Sequence, residues 1–562
     1  MMTNDRSAEN LDAWFPRQSP RLGVVVGGSL SKGLEVKLDI QADIESLAVG
    51  RYVVLTRPDS PFRFFSMVTD ISLGATSGQI ESTPPDMSNP YLRDVLKGTM
   101  AYGLLHIAPM LVLEQGVNQP QPVRTIPPHF TEVWQATAED INAVFGDEDQ
   151  EHFNIGSPLE LLDTQINVNL ERLVERSVGV FGKSGTGKSY LTRILLSGIL
   201  ARDTAVNLVF DMHNDYGWEV ISESGKRDKG LKQLFPSKVA IFTLDPESST
   251  RRKVNPDFVV TMAYSDIDPE DLAMLKQTMD LSDSMIDAAY TLRRRWGAEW
   301  ILMLLDLLEA PEMIDDLLAE TAVNSASLSA LTRRLERFQR FGFLTPHPTG
   351  DSVQAIMEYL EQSKSVVLEF GRYGNALEAY ILVANYLTRR IHRRYVERVE
   401  ESLGDAAAEP PNLMITVEEA HKFLEPSIAR QTIFGTIARE LRKYKVTLLI
   451  VDQRPSGIDD EVMSQVGSRV TALLDNERDI SAVLTGVSGA SGLREVLARL
   501  DTKQQAIVLG HAVPMPVVIQ TRTYDEAFYK AMGAPLKGKA LGRAAKRGSK
   551  DLYGDEDFEG FD

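Results

Sequence analysis

An unbroken Gly182-Lys183-Ser184-Gly185-Thr186-Gly187-Lys188-Ser189 run stands between an apolar, strand-like stretch at residues 177–181 and a helix-like one at 190–200. Strand, glycine-rich turn, helix is the context in which this spacing forms a phosphate-binding loop. Glycines let successive backbone N–H groups converge on phosphate oxygens, and the helix N-terminus adds a partial positive charge. Lys188 then reaches the β- and γ-phosphates, and Ser189 offers a hydroxyl to Mg2+. Tyr190, directly after Ser189, is grouped with the nucleotide-binding residues. Residues 206–211 read as a second buried strand, and strand-like runs recur at 365–370, 413–417, 447–451, 469–474 and 505–509. The pattern is an α/β core.

Such a loop works with an acidic pair at the end of a buried strand, and Glu418-Glu419 follows the apolar run 413–417. Glu418 is expected to hold Mg2+ through water and Glu419 to polarise the attacking water. Acidic pairs also open solvated helices; the upstream loop is what favours the catalytic reading. Gln453, just past the run 447–451, is a candidate contact for the γ-phosphate or its water, or a plain loop amide. Arg439 and Arg442 lie three apart on one predicted helix face, so either is a candidate arginine finger or a solvated charge. Arg176, ahead of the first core strand, is a weaker candidate for phosphate sensing. Asp211, His213 and Asp215 fit a satisfied loop network as well as a functional one.

The chain has 562 residues, enough for three or four domains. Residues 1–20 read as a flexible start. Between 21 and 130, short apolar runs punctuated by glycine and proline have the spacing of a small antiparallel barrel, with a hairpin between 50–55 and 62–71. Pro122, Pro127 and Pro128 mark an exit linker. The ATPase core then covers 131–261 and 346–530, interrupted by a helical insertion at 262–345. Residues 531–562 form a tail, basic first and then acidic.

Charge and cysteine content narrow the function. The balance of 60 Lys+Arg against 79 Asp+Glu, net −19, opposes coating of nucleic acid over the whole surface but leaves room for a local basic channel. Arg293-Arg294-Arg295, Arg389-Arg390 and Arg393-Arg394 fall on predicted helices, where a solvated face is a better reading than phosphate contact. With no cysteine, disulfides, thiolate zinc sites and cysteine nucleophiles are excluded, which fits a reducing, cytoplasmic compartment. Residues 1–16 lack the apolar core of a signal peptide, and no apolar run reaches about 18 residues, so no membrane span is expected.

Together these motifs resemble the HerA-type ATPases of the HerA/FtsK DNA translocase group. The resemblance runs from the small barrel through 182–189, 211–216, 417–421, 437–444, Gln453-Arg454-Pro455-Ser456 and 510–516. It implies a hexameric ring with ATP between subunits, DNA threaded through the centre, and a nuclease or other effector docked on the barrel. It also implies that Glu419 is the catalytic glutamate and that Arg442 or Arg439 acts on a neighbour's nucleotide. The chain departs from the family pattern where His213-Asn214-Asp215-Tyr216 replaces His-Gly-Glu-Tyr, and where Leu441 and Lys445 occupy positions expected to be glycine.

The expected fold is therefore α/β: a RecA-like phosphate-loop ATPase core with an N-terminal small β-barrel and a helical insertion. The expected reaction is Mg2+-dependent ATP hydrolysis coupled to translocation on double-stranded DNA. A protein-remodelling ATPase, which the net charge suits, and an ATP-dependent assembly scaffold for an effector are the alternatives. No motif separates break repair from phage defence.

Overall fold

The computed structural model describes residues 19–533, apart from 78–81, 83–87, 89–95, 97–99, 115–116, 118–119, 222–224, 226, 308–316, 319–320, 322, 348, 406–408, 441–442, 488–489 and 502–503. The expected flexible start and charged tail lie almost wholly outside these residues. The chain divides into two compact units: one takes residues up to Glu171 with those from Gly486 on, and the other is Arg172–Thr485.

The first unit is built on a closed antiparallel barrel. Its strands run in the order Gly33–Leu38, Arg21–Ser29, Glu132–Gln135, Tyr52–Thr56, Phe62–Ala75 and Ala101–Glu114, and the last pairs back onto the first through Leu34↔Ile107 and Val36↔Leu105. Closure gives each of these six strands a neighbour on both sides, so none of them is an edge strand. Alternation directs Val25, Val36, Leu55, Phe64, Val68, Leu105, Ile107 and Val133 into a common buried core. Two register shifts in the long Phe62–Ala75 strand, at Phe65/Ser66 and Val68/Asp70, supply the bend that closure needs. The proline-bounded linker is followed by one more barrel strand: Glu132–Gln135 inserts between Arg21–Ser29 and Tyr52–Thr56. Pro127 and Pro128 interrupt the ladder before that strand, not within it.

The same unit holds an antiparallel set formed by Ile166–Asn169, His152–Ser157, Val517–Thr521 and Gln505–Gly510. The buried Tyr52 hydroxyl accepts the Val518 N–H at 2.9 Å, fastening this set to the barrel.

The second unit is a parallel sheet in the order Phe258–Val259, Val239–Thr243, Ser365–Glu369, Val206–Asp211, Leu413–Glu418, Val446–Asp452, Val178–Phe181 and Ser468–Thr471. Its central strands are buried along their whole length, which is why they read as unbroken apolar runs rather than alternating ones. In a parallel sheet every strand delivers the loop after it to the same edge, and that edge is where ligands bind. The loops after Phe181, Asp211, Glu369, Glu418, Asp452 and Thr471 therefore gather on one side.

Residues 262–345 are mainly helical, with Pro269–Met274, Asp283–Trp296, Trp300–Asp306 and Ser325–Leu335 among the described residues. Their two ends meet in a short parallel pairing, Met262↔Leu344 and Ala263↔Thr345. Trp300, fully buried, donates its indole N–H to the Ile267 carbonyl at 2.9 Å. The acidic stretch 266–271 has an internal partner. Arg389, on the long helix Leu377–Ser402, contacts Asp268 at 2.8 Å and Asp271 at 2.9 Å, and Asn385 donates to Asp271 at 3.0 Å.

Candidate active site

The loop at residues 182–189 leaves the sheet edge at Phe181 and enters the helix Lys188–Arg202. Gly185 and Gly187 have φ of +79° and +90°, a region that costs an L-residue about 1–2 kcal/mol. Gly182 is required for a different reason: a Cβ there would stand 2.7 Å from Thr186 Oγ1 and 2.9 Å from Ala472 Cβ. Thr186, buried, donates its hydroxyl to the Lys183 carbonyl at 2.8 Å, and Lys188 Nζ donates to the same oxygen at 3.0 Å. Lys183 itself pairs with Asp475 at 2.8 Å, while Ser184 is exposed and Ser189 and Tyr190 are half-buried. Tyr190 donates its hydroxyl to the buried Asp228 at 2.6 Å. Burial lowers the Lys188 ammonium's pKa, and the nearby Glu419, Asp452 and Glu418 pull it back up.

One strand, Val446–Asp452, separates the loop's strand from Leu413–Glu418. At roughly 4.8 Å per strand, the acidic pair stands about 10 Å across the edge from the loop, which leaves room for a phosphate and a hydrated cation. Glu418 is held on both sides. Tyr216 donates its hydroxyl to Oε1 at 2.8 Å; the Tyr380 hydroxyl accepts the Glu418 N–H and donates to its carbonyl, each at 3.0 Å. Oε2 is buried with no hydrogen-bond partner. Burial pushes the Glu418 carboxyl up to about 7, against the lowering effect of Tyr216. An orphaned buried carboxylate oxygen of this kind fits a cation's water shell. Among the described residues no cluster of three or more His, Asp or Glu could hold a metal alone, so the fit is to Mg2+ carried mainly by water and phosphate.

Glu419 adopts φ +48° at the turn after the strand. Gln453 Nε2 lies 3.2 Å from its Oε1, so these two candidates are joined directly. Asp211, at the end of its own strand, accepts the N–H groups of Asp215, Tyr216 and Gly217 at 2.7, 2.9 and 3.2 Å. That network fixes Tyr216 under Glu418. Burial, with Glu369 and Glu418 close by, pushes the Asp211 carboxyl up to about 8.

Other candidates lie apart. Arg439 is half-buried on the helix Ile433–Glu440, and its Nη1 is buried without a hydrogen-bond partner. Arg442 lies outside the described residues. Arg176 is exposed with its stem against Gly467, at the end of Val178–Phe181 opposite the loop, so it does not reach the loop of its own chain. Arg389 and Arg293 are held by the insertion's acids, the latter on Asp268 at 3.0 Å, and Arg390 donates to the Asp266 carbonyl. Sequence reasoning did not single out Asp452 or Tyr380. An acid closing an apolar strand beside Gln453 was a signal for the first; the second carries none near Glu418 in sequence.

Among the departures from the family pattern, Asn214 has a structural reason, Lys445 has none, and Leu441 lies outside the described residues. Asn214 and Lys445 both have φ of +59°, where glycine is unstrained and asparagine is the best-tolerated alternative. Asn214 Oδ1 also accepts the Gly371 N–H at 3.1 Å, a bond glycine has no side chain to make.

Residues 153–391 match the family described as the central domain of the helicase HerA. The chain is 24% identical over 439 residues to the DNA double-strand break repair helicase HerA of Pyrococcus furiosus, covering 73% of this chain and 76% of that protein. It is 24% identical over 513 residues to the protein of the same name from Sulfurisphaera tokodaii, covering 90% and 93%. Among solved structures, VirB4 of Thermoanaerobacter pseudethanolicus aligns with a TM-score of 0.42 at 12% identity, covering 67% of this chain and 98% of that one. In its central region, then, this chain is similar to the HerA-type ATPases.

Proposed function

We propose that the chain hydrolyses ATP with Mg2+ and couples hydrolysis to movement along double-stranded DNA, as a homo-hexameric ring with a nuclease or other effector on its barrel. The observation that carries the reading is the meeting, at one edge of one parallel sheet, of the loop 182–189, the Lys188 amine and the pair Glu418-Glu419. Backbone N–H groups of the loop and Lys188 would hold the phosphates; Ser189 and, through water, Glu418 would hold Mg2+. When bound there, Mg2+ would supply neutralisation of the phosphate charge. Glu419 orients the attacking water and draws on its proton, and Gln453, hydrogen-bonded to Glu419, stands ready to respond to the γ-phosphate. Arg439 or Arg442 from a neighbouring subunit would complete the site. The relatives, DNA double-strand break repair helicases by name, support DNA as the substrate.

A second reading, an ATP-dependent scaffold or a protein-remodelling ATPase, is favoured by one observation. Arg293, Arg389 and Arg390, all candidates for phosphate contact, are engaged by the insertion's acidic stretch. ATPase rate with no DNA, single-stranded DNA and linear duplex, at low and high salt, separates the readings. Stimulation by duplex that high salt removes supports translocation. A rate indifferent to DNA at both salts, yet abolished by Glu419→Gln, leaves scaffolding or remodelling.

A further inference from the structure

Beyond the candidate base, the acidic edge contains a carboxylate with no role in the proposed chemistry. Asp452 ends the strand Val446–Asp452 with its side chain fully buried. Three donors converge on it. The His421 N–H lies 2.7 Å from Oδ2, His421 Nδ1 2.9 Å from the same oxygen, and the Arg454 N–H 2.7 Å from Oδ1. His421 belongs to the turn that carries Glu419, and Arg454 to the turn that carries Gln453. One buried carboxylate therefore ties together the two turns whose side chains meet at 3.2 Å.

Glu419 needs such a tether. Its φ of +48° is a conformation that costs a non-glycine residue about 1–3 kcal/mol and persists only where the surroundings over-determine it. Apart from the His421 N–H and ring bonds to Asp452, the turn is held by the Lys422 N–H on the Glu419 carbonyl and the Phe423 N–H on the Ala420 carbonyl, each at 2.9 Å. Those bonds close the turn without fixing it to the neighbouring strand. The link to Asp452 does that. His421 Nδ1 is 3.7 Å from Glu419 Oε2, beyond hydrogen-bond reach, so its action on Glu419 is through position rather than proton transfer.

We infer that His421 and Asp452 are positioning residues, a pair whose Nδ1–H to carboxylate bond sets where the Glu419 carboxylate stands relative to Gln453. The inference rests on the ATPase reading above. Its test is ATP turnover, ATPγS affinity and thermal midpoint for the full chain and its His421 variants. His421→Ala is expected to lower kcat roughly ten- to hundred-fold, the scale of a misplaced catalytic group, with ATPγS affinity within about two-fold of wild type. His421→Asn, whose amide N–H stands near the position of Nδ1, is expected to recover most of kcat; His421→Gln, whose amide aligns with Nε2, is not. In a Glu419→Gln background, His421→Ala is expected to leave the residual rate unchanged, because the group it positions is already disabled.

Wild-type turnover with an unaltered kcat in His421→Ala overturns the inference. So does an Asn variant no better than Gln, a further loss of rate in the Glu419→Gln background, or a loss of affinity or thermal midpoint that matches the loss of kcat. A wild type that binds ATPγS but hydrolyses no ATP overturns the ATPase reading itself, and with it this one.

Discussion

The glycine loop and the acidic edge stand on the same side of one sheet, yet their working groups come from different sources. In the loop they are backbone N–H groups of consecutive residues, and the side chains that brace it, Thr186 and Lys188, return to a carbonyl three and five residues away. The acidic edge draws on Asp211 and Tyr216, Tyr380, Glu418 to His421, and Asp452 to Arg454, joined by buried and part-buried hydrogen bonds across as many as 202 residues. Backbone recognition is local and tolerates change elsewhere. Recognition built from buried side chains couples activity to the stability of the unit.

The largest expected effect cuts the two halves apart. Glu419→Gln should lower kcat by about 10²–10⁴ while ATPγS still binds, whereas Lys188→Ala should lose nucleotide binding itself; equilibrium binding and turnover measured together check this. If both variants lose binding equally, the halves are not separable.

Tyr216→Phe comes next. It removes the donor on Glu418 Oε1 and leaves a buried acceptor unpaired, at about 1–3 kcal/mol in denaturant unfolding of the nucleotide-free protein. A neutral result would show that the acidic edge is braced mainly through Tyr380.

The pH profile sharpens the same contrast. Glu418 is pushed from 4.5 up to about 7 and Asp211 from 3.8 up to about 8, so each holds in the fold a proton that the unfolded chain has released. Stability of the metal-free protein should fall as pH rises from about 4 to 8 and level off above. Glu418→Gln should flatten the part of that fall between its two values, read as the thermal midpoint against pH.

The smallest effect lies away from both halves. Lys445→Gly should raise stability by about 0.5 kcal/mol, the relief at φ +59° exceeding the added freedom of the unfolded chain and the loss of the Lys445–Glu409 ion pair at 2.6 Å. Denaturant midpoints resolve it.

The same division governs what the sequence disclosed. The loop was legible because eight consecutive residues carry it between an apolar run and a helix. Glu418-Glu419 was legible because a fully buried parallel strand reads as an uninterrupted apolar run with the acids at its end. Val239–Thr243 is not distinguished in the sequence although it too is wholly buried, because five residues with no motif after them resemble a segment of buried helix. Tyr380 was not legible: it reaches Glu418 from a helix 38 residues away, and its spacing is that of any core tyrosine. The arginine runs misled differently. Arg389 and Arg390 follow a helical period that a solvated face would share, and only the fold brings the acids of 266–271 against them.

The two-residue pairing Met262↔Leu344 and Ala263↔Thr345 gives the insertion an entrance and an exit side by side. A segment with adjoining ends is an exchangeable cassette: a few glycines and serines span the gap, and a different module of any size fits the same socket. Excision has one condition. Removing the segment strips Arg389 of Asp268 and Asp271, the buried Asn385 of Asp271, and Arg390 of the Asp266 carbonyl. A clean deletion therefore exchanges Asn385, Arg389 and Arg390 for apolar residues in the same step, and the combined change, rather than the bare truncation, is the form in which the cassette's contribution to turnover is measured.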